Sequence, residues 1–297
     1  MSAIQAIILD LDGTLLASDK SISARNYEAV KRCYDSGIHI IVATARPPRA
    51  ANQFVESLPF VDYFVYYNGA LVTCKSKQTQ RHISIPSENS RQIIDFLESN
   101  APNSLRLFEV NDSWYGCTPI PDALRGQFGL RPNDPQPQVM DNESIRSLSP
   151  TKILIQGYDA WREIVDHFGD HVNVIATDGG GLIQIMHQSA SKEEGVQWVL
   201  QDLGVHSENV MVFGDDYNDL GLFHSCGIPV AMGNAIMELK NCAAHITESN
   251  DNDGVAAAIE RLIREGGRQK LGDIRGGQRA PSTNGHEQHG SDRRRDG

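Results

Sequence analysis

The sequence predicts an α/β chain: a doubly wound parallel sheet interrupted by an inserted α+β unit. Three observations carry that prediction. Short, almost wholly apolar runs recur towards both ends of the 297 residues, as strands covered on both faces require. Stretches with helical spacing of apolar residues separate them, the alternation that builds a parallel sheet with crossover helices. Between about residues 83 and 187 the alternation gives way to closely spaced β-like runs and a hairpin signal.

The elements follow in order. Ala3–Asp10 (AIQAIILD) is β-rich and nearly continuously apolar. Ser23–Ser36 puts Tyr27, Val30, Cys33 and Tyr34 at helical spacing and ends at Gly37, a residue suited to a helix C-terminus. Ile38–Ala43 and Asp62–Tyr67 give two more buried strands. After the insert, Asn209–Phe213, Ile228–Met232 and His245–Thr247 resume the pattern, with helices between them and a last helix near Gly254–Arg264. From the start of the insert, β-like runs fall at His82–Pro86, Ser104–Val110, Ser113–Gly116, Thr151–Gly157, Asn173–Thr177 and Leu182–His187. Helices are expected near Asn89–Asn100 and Tyr158–Gly169, and a glycine-rich turn at Asp178–Gly181. Polar linkers near Thr79–Pro86 and Gln188–Ser191 then divide the chain into a core (1–82 and 188–265) and an inserted domain (83–187). The remainder, 266–297, holds 8 Gly and three aliphatic residues in 32 and is expected to be disordered.

Composition narrows the classes of function. Formal net charge is −11. The last 32 residues carry seven Lys/Arg against four Asp/Glu, so the body before them carries −14. An acidic body argues against nucleic-acid binding. No apolar run approaches membrane-spanning length, and the N-terminus lacks a signal-peptide pattern. Five widely spaced cysteines, with no CxxC, suit a reducing cytoplasm rather than a disulfide scaffold or a zinc site.

Four constellations stand where chemistry is expected. Asp10-Leu11-Asp12-Gly13-Thr14 directly follows the first strand, at the end where open sheets bind ligands. Two nearby carboxylates do not both stay ionised cheaply unless a cation intervenes or one holds a proton, which suits Mg²⁺ and separate nucleophile and acid roles. Asp215, Asp216, Asn218 and Asp219 follow Gly214 after another strand and supply hard oxygen donors; an acidic helix start is the alternative. Thr44-Ala45-Arg46-Pro47 offers a hydroxyl and free backbone N–H groups at a strand-to-helix turn, an anion site or simply a cap. Lys192 opens a helix, where its charge opposes the dipole and so calls for another purpose. There is no P-loop, GxGxxG, GxSxG or EF-hand loop.

Taken together, LDLDGTL (Leu9–Leu15), VATARP (Val42–Pro47), Asn68-Gly69-Ala70, Ser191-Lys192, GDDYNDLGLF (Gly214–Phe223), VAMGNA (Val230–Ala235) and SNDNDGVA (Ser249–Ala256) resemble the haloacid dehalogenase-like superfamily, in particular its Cof-like phosphatases. The likeness spans residues 3–265 and departs from the family at Ala45, commonly Gly, and at Phe223, commonly Met or Leu. The resemblance implies a Rossmann-like core with an α/β cap at 83–187. It implies that Asp10 attacks phosphorus and forms an aspartyl-phosphate, that Asp12 acts as acid and base, and that Lys192 neutralises phosphoryl charge. Asp10, the Asp12 carbonyl and Asp215 would hold Mg²⁺, with Asp219 orienting ligands from behind. Thr44, the Ala45 backbone and Asn218 would bind phosphoryl oxygens, and Arg46 would stand at the substrate rim. The implied activity is hydrolysis of a small phosphorylated metabolite, by a monomer or homodimer; a phosphosugar mutase and a non-catalytic phosphometabolite binder are the alternatives.

Overall fold

The computed structural model describes residues 4–128, 130, 135–177 and 181–262. The chain divides after Ile259 into a body and a second unit, Glu260–Gly297; the expected disordered segment 266–297 lies outside the described residues. Along the body run β1 (Ala6–Leu9), α1 (Ala24–Asp35), β2 (His39–Ala43), α2 (Pro48–Ser57), β3 (Tyr63–Tyr66), β4 (Leu71–Cys74) and β5 (Thr79–His82). Next come α3 (Ser87–Asn100), β6 (Leu105–Val110), β7 (Ser113–Gly116), β8 (Gln138–Val139), α4 (Asn142–Arg146), β9 (Lys152–Gln156), α5 (Trp161–Phe168), β10 (Val172–Thr177) and β11 (Leu182–His187). The series closes with α6 (Lys192–Leu203), β12 (Val210–Gly214), α7 (Leu220–Ser225), β13 (Ile228–Ala231), α8 (Met237–Cys242) and β14 (His245–Ile246). Helical turns follow from residue 254.

Eight strands form one sheet in the order β14-β13-β12-β1-β2-β3-β4-β5. Neighbours from β14 to β3 are parallel, whereas β4 and β5 are antiparallel additions. β1 lies inside this sheet with all four residues buried, which is why its sequence is apolar without alternation. From β1 the chain winds outward through β2 and β3, and from β12 the other way through β13 and β14. The winding therefore reverses between β1 and β12, and a crevice beyond their carboxyl ends is the expected ligand position.

Local signals agree with these elements. Ser23 caps α1 by accepting the Asn26 N–H, and Gly37 follows the helix at φ +86°. Two expectations need correction. Thr79–His82 is not a linker but the edge strand β5, paired with β4; its polar side chains suit a half-covered sheet edge and hid it among linker residues. The run His82–Pro86 is a strand only at His82, the last residue of β5: Ile85 is buried in the second core and Pro86 leads into α3. Strand β4, which follows the Asn68-Gly69 turn, was not anticipated.

The second sheet has the order β10-β11-β9-β6-β7-β8 and is antiparallel except between β7 and β8. β10 and β11 pair out to Thr177 and Leu182; of the expected turn between them, residues 178–180 lie outside the described residues. Helices α3, α4 and α5 cover one face, packing Ile93, Leu97, Ile145 and Ile164 against Phe108, Ile153 and Ile183. The opposite face carries Leu107, Trp114 and Leu154. Alternation along β6 and β9 puts Glu109 and Lys152 on that second face, where Leu124 and Phe128 of a short 3-10 helix, Asp122–Phe128, also pack. Among the described residues no helix is long and apolar enough to cross a membrane.

Candidate active site

β1 ends at Leu9, so Asp10 leaves the strand at the reversal point and the chain turns at once. Leu15 N–H bonds the Asp10 carbonyl at 3.2 Å and Leu16 N–H that of Leu11 at 2.8 Å. The turn passes through Gly13 at φ +74°, where an added Cβ would lie 2.1 Å from Asp215 Oδ2. Only glycine satisfies both the dihedral and that close approach. The next residue, Thr14, donates its hydroxyl to Asp215 Oδ1 at 3.1 Å.

Lys192 is the first residue of α6, whose N-terminus Ser191 caps by accepting the Glu194 N–H. Its ammonium lies 2.7 Å from Asp10 Oδ1 and 2.7 Å from Asp219 Oδ1, with the residue 1% exposed. Asp219 turns its other oxygen to the backbone N–H groups of Asp215 and Asp216, at 3.1 and 3.4 Å. Ligand oxygens of Asp10, Asp215 and Asp219 all lie within 4.8 Å of one another. Burial pushes the Asp10 carboxyl well above the usual range; Lys192 opposes this, and the Asp219 and Asp215 charges reinforce it. Burial, then the Asp219 charge, raises Asp215 to about 7. For Lys192, burial is outweighed by the charges of Asp10 and Asp219, and the ammonium is held above its ordinary value. Three carboxylates facing one lysine leave uncompensated negative charge on hard oxygen donors. That donor set fits Mg²⁺.

Asp12 does not join this group. Arg46 grips its carboxylate through Nε–Oδ2 at 2.6 Å and Nη2–Oδ1 at 2.7 Å, and Lys20 adds a contact at 2.8 Å. Burial raises this carboxyl, but the Arg46 and Lys20 hydrogen bonds outweigh it and hold it at about 2. Arg46 therefore sits on Asp12, its half-buried guanidinium 5.2 Å from the centre of the Phe54 ring.

Thr44 follows β2, whose pairing with β1, Leu9 opposite Val42, brings the carboxyl ends of the two strands side by side. Its buried hydroxyl accepts the Arg46 N–H at 3.1 Å, which leaves the hydroxyl hydrogen for another acceptor. Asn218 donates to Asn68 Oδ1 at 3.0 Å, and the Asn68 N–H bonds the Thr44 carbonyl at 3.0 Å. Asn68, at φ +49°, thus ties the two expected phosphate-binding residues together. The Ala45 carbonyl accepts from Lys152 Nζ of β9, at 3.4 Å. Sequence reasoning missed Lys20, Thr14 and Lys152 and gave Asn68 no role. For Asn68 a signal existed, an Asn-Gly pair closing an apolar run.

Comparisons with known proteins agree with this arrangement. A family profile described as haloacid dehalogenase-like hydrolase matches residues 7–259. Two Bacillus subtilis proteins, the 5-amino-6-(5-phospho-D-ribitylamino)uracil phosphatases YitU and YcsE, are each 28% identical to the chain. The matches cover 86% and 88% of this chain and 97% and 96% of those proteins. The crystal structure of a haloacid dehalogenase-like hydrolase from Bacteroides thetaiotaomicron superposes with a TM-score of 0.75 at 27% identity, covering 87% of this chain and 99% of that one. With the profile spanning both sheets and every residue of the acidic cluster, the chain belongs to the haloacid dehalogenase-like hydrolases.

Proposed function

We propose that the chain is a Mg²⁺-dependent phosphatase of a small phosphorylated metabolite, working through an aspartyl-phosphate on Asp10. The observation that carries this reading is the buried cluster of Asp10, Lys192, Asp215 and Asp219 at the carboxyl ends of β1 and β12. Asp10 supplies the nucleophilic oxygen, which bonds to phosphorus as the alcohol oxygen leaves with the electron pair. Asp10, the Asp12 carbonyl and Asp215 would hold Mg²⁺, and Asp219 would orient Lys192 and the Asp215 backbone behind them. Bound Mg²⁺ supplies charge neutralisation for the phosphoryl oxygens. Lys192 adds a fixed positive charge to the same end, and the Thr44 hydroxyl and Asn218 amide donate to the remaining oxygens. Asp12 protonates the leaving oxygen and later takes the proton of the hydrolytic water. For that it parts from Arg46 and Lys20, whose charges an arriving anionic substrate draws away. It takes up a proton from solvent, passes it to the leaving oxygen and regains one from the water whose oxygen displaces Asp10 from phosphorus.

The substrate class we favour is a sugar phosphate or a phosphorylated cofactor; the two Bacillus relatives are named for a phosphoribitylamino-uracil, a phosphomonoester of the same small size. The five free cysteines fit a reducing cytoplasm. The test is phosphate release from a panel of phosphometabolites and from p-nitrophenyl phosphate, in Mg²⁺ and in EDTA. Release from none of them, or equal release in EDTA, overturns the proposal.

A further inference from the structure

Three successive carbonyls of the turn after β2 are held from different directions. Thr44 O takes the Asn68 N–H at 3.0 Å and Arg46 O the Tyr67 N–H at 3.1 Å, both from the backbone that follows β3. The middle one, Ala45 O, takes a side chain from the other sheet: Lys152 Nζ at 3.4 Å. Lys152 is 5% exposed and belongs to a cross-strand row, Met186–Lys152–Glu109–Trp114, on the face of the second sheet opposite α3, α4 and α5. The same row grips the core at two further points. Arg49 of α2 pairs with Glu109 and stacks 4.9 Å from the Trp114 ring centre, and the Lys152 ammonium stands 5.2 Å from the centre of the Tyr67 ring. The Tyr67 hydroxyl donates to Asn111 O at 2.6 Å and accepts from Arg49 Nη1 at 3.1 Å.

Burying an ammonium costs several kcal/mol unless its donors are used. Glu109, 2% exposed, offers only partial compensation, because its Oε2 lies 3.7 Å from Lys152 and makes no hydrogen bond among the described residues. An apolar side chain at 152 would avoid that cost and pack as well beside Leu154 and Met186. The lysine contributes a donor to the Ala45 carbonyl. That carbonyl shares its peptide unit with the Arg46 N–H, which bonds Thr44 Oγ1. Polarising one end of a peptide strengthens the bond made by the other.

We propose that Lys152 is a positioning residue for the phosphate-binding turn. Seated on Ala45 O and steadied by Glu109, it fixes the 45–46 peptide, so that the Thr44 hydroxyl is engaged as an acceptor and presents its hydrogen to a phosphoryl oxygen. Docking of the second sheet on the core is thereby coupled to formation of the anion site. The inference rests on the phosphatase reading for the identity of the anion, but the contact with Ala45 does not.

The test compares the full chain with its Lys152→Met, Lys152→Arg and Glu109→Gln variants in Mg²⁺. Three quantities are read: inhibition of p-nitrophenyl phosphate hydrolysis by inorganic phosphate, deuterium uptake over residues 44–46, and the thermal midpoint. In Lys152→Met the phosphate inhibition constant rises and kcat/KM falls by about 10–100-fold, the range for removing a residue that orients a ligand from behind, and uptake at 44–46 quickens. Lys152→Arg, which can still donate to Ala45 O, stays within about threefold of wild type. A lower thermal midpoint with unchanged phosphate inhibition and unchanged uptake means Lys152 only packs, and overturns the proposal. If Lys152→Met does not fold, Glu109→Gln decides: faster uptake at 44–46 supports the proposal and an unchanged rate overturns it. A wild-type chain that neither hydrolyses any monoester nor gains protection at 44–46 from inorganic phosphate overturns the phosphatase reading itself. A wild type that does both, beside an unchanged Lys152→Met, overturns this inference alone.

Discussion

Replacing Lys192 by methionine keeps the length of the side chain and removes the only cation, among the described residues, bonded to Asp10. The ammonium lies 2.7 Å from an oxygen of Asp10 and of Asp219, with its side chain 0% exposed. At an effective dielectric constant of about 20, each contact at that range is worth roughly 6 kcal/mol before desolvation. Most of this offsets the burial of three charges. Removing one partner from a buried pair leaves a net cost of about 3–5 kcal/mol. The cost depends on pH, and the two kinds of group contribute with opposite sign. The Lys192 ammonium is held above its ordinary value, so its stabilisation is complete below the unfolded lysine value of about 10.4 and is lost only at higher pH. Between pH 5 and 9 it is constant in the wild type. In the variant the carboxylates decide. Burial already raises Asp10, and a raised carboxyl destabilises the fold as pH climbs from its unfolded value of about 3.9 through its folded one. The deficit of Lys192→Met therefore grows as pH climbs above that unfolded value. The assay is urea denaturation followed by circular dichroism in EDTA; with an m-value of about 3 kcal/mol/M the midpoint at pH 8 drops by about 1–1.5 M. A deficit below about 1 kcal/mol at pH 8, the size expected of an exposed pair, or one that shrinks as pH rises, would refute the reasoning.

Other consequences are open to simpler measurements. Asp10→Asn keeps the size and removes the nucleophile, so phosphate release falls to background with the circular dichroism spectrum unchanged; retention of more than a few per cent of activity would sink the covalent route. Gly13→Ala forces a side chain into φ +74° at a cost of about 1–2 kcal/mol. It also drives a Cβ towards Asp215, so the Mg²⁺ concentration for half-maximal activity rises about 10–100-fold; an unchanged Mg²⁺ requirement would detach Asp215 from the metal. Arg46→Ala lets the Asp12 carboxyl rise from about 2 towards the ordinary range, read by carbon-13 NMR titration. A carboxyl depressed in the fold stabilises above its unfolded value and loses that contribution as pH falls towards 2, so this variant loses stability at neutral pH and none at pH 2. A titration still near 2 would mean that Lys20 alone holds Asp12.

How much of this molecule was legible in one dimension follows the range of the interactions involved. Unbroken apolar runs marked β1, β2, β3 and β12 because a strand covered on both faces has no solvent side to alternate with. The same runs located Asp10, Thr44 and Asp215, since a residue just past a buried parallel strand is delivered to the ligand edge whatever the rest of the chain does. The Gly37 terminus of α1 was equally local. Sequence did not determine which charges face one another. Asp10 and Asp12, two residues apart and outwardly alike, end in opposite states: one is buried on Lys192 and pushed up, the other clasped by Arg46 and Lys20 and pushed down. The polar run Thr79–His82 reads as a linker and becomes a strand because β4 offers it a free edge. Lys152 looks like an ordinary charge in a β-like segment. Only the antiparallel register of β6 and β9, and the seating of the face opposite α3, α4 and α5 on the turn after β2, bring it to Ala45. Periodicity and turn chemistry act over a few residues and can be read along the chain. Partner choice among buried charges is settled by distances of a few ångströms between segments far apart in sequence, and only the folded structure sets those distances.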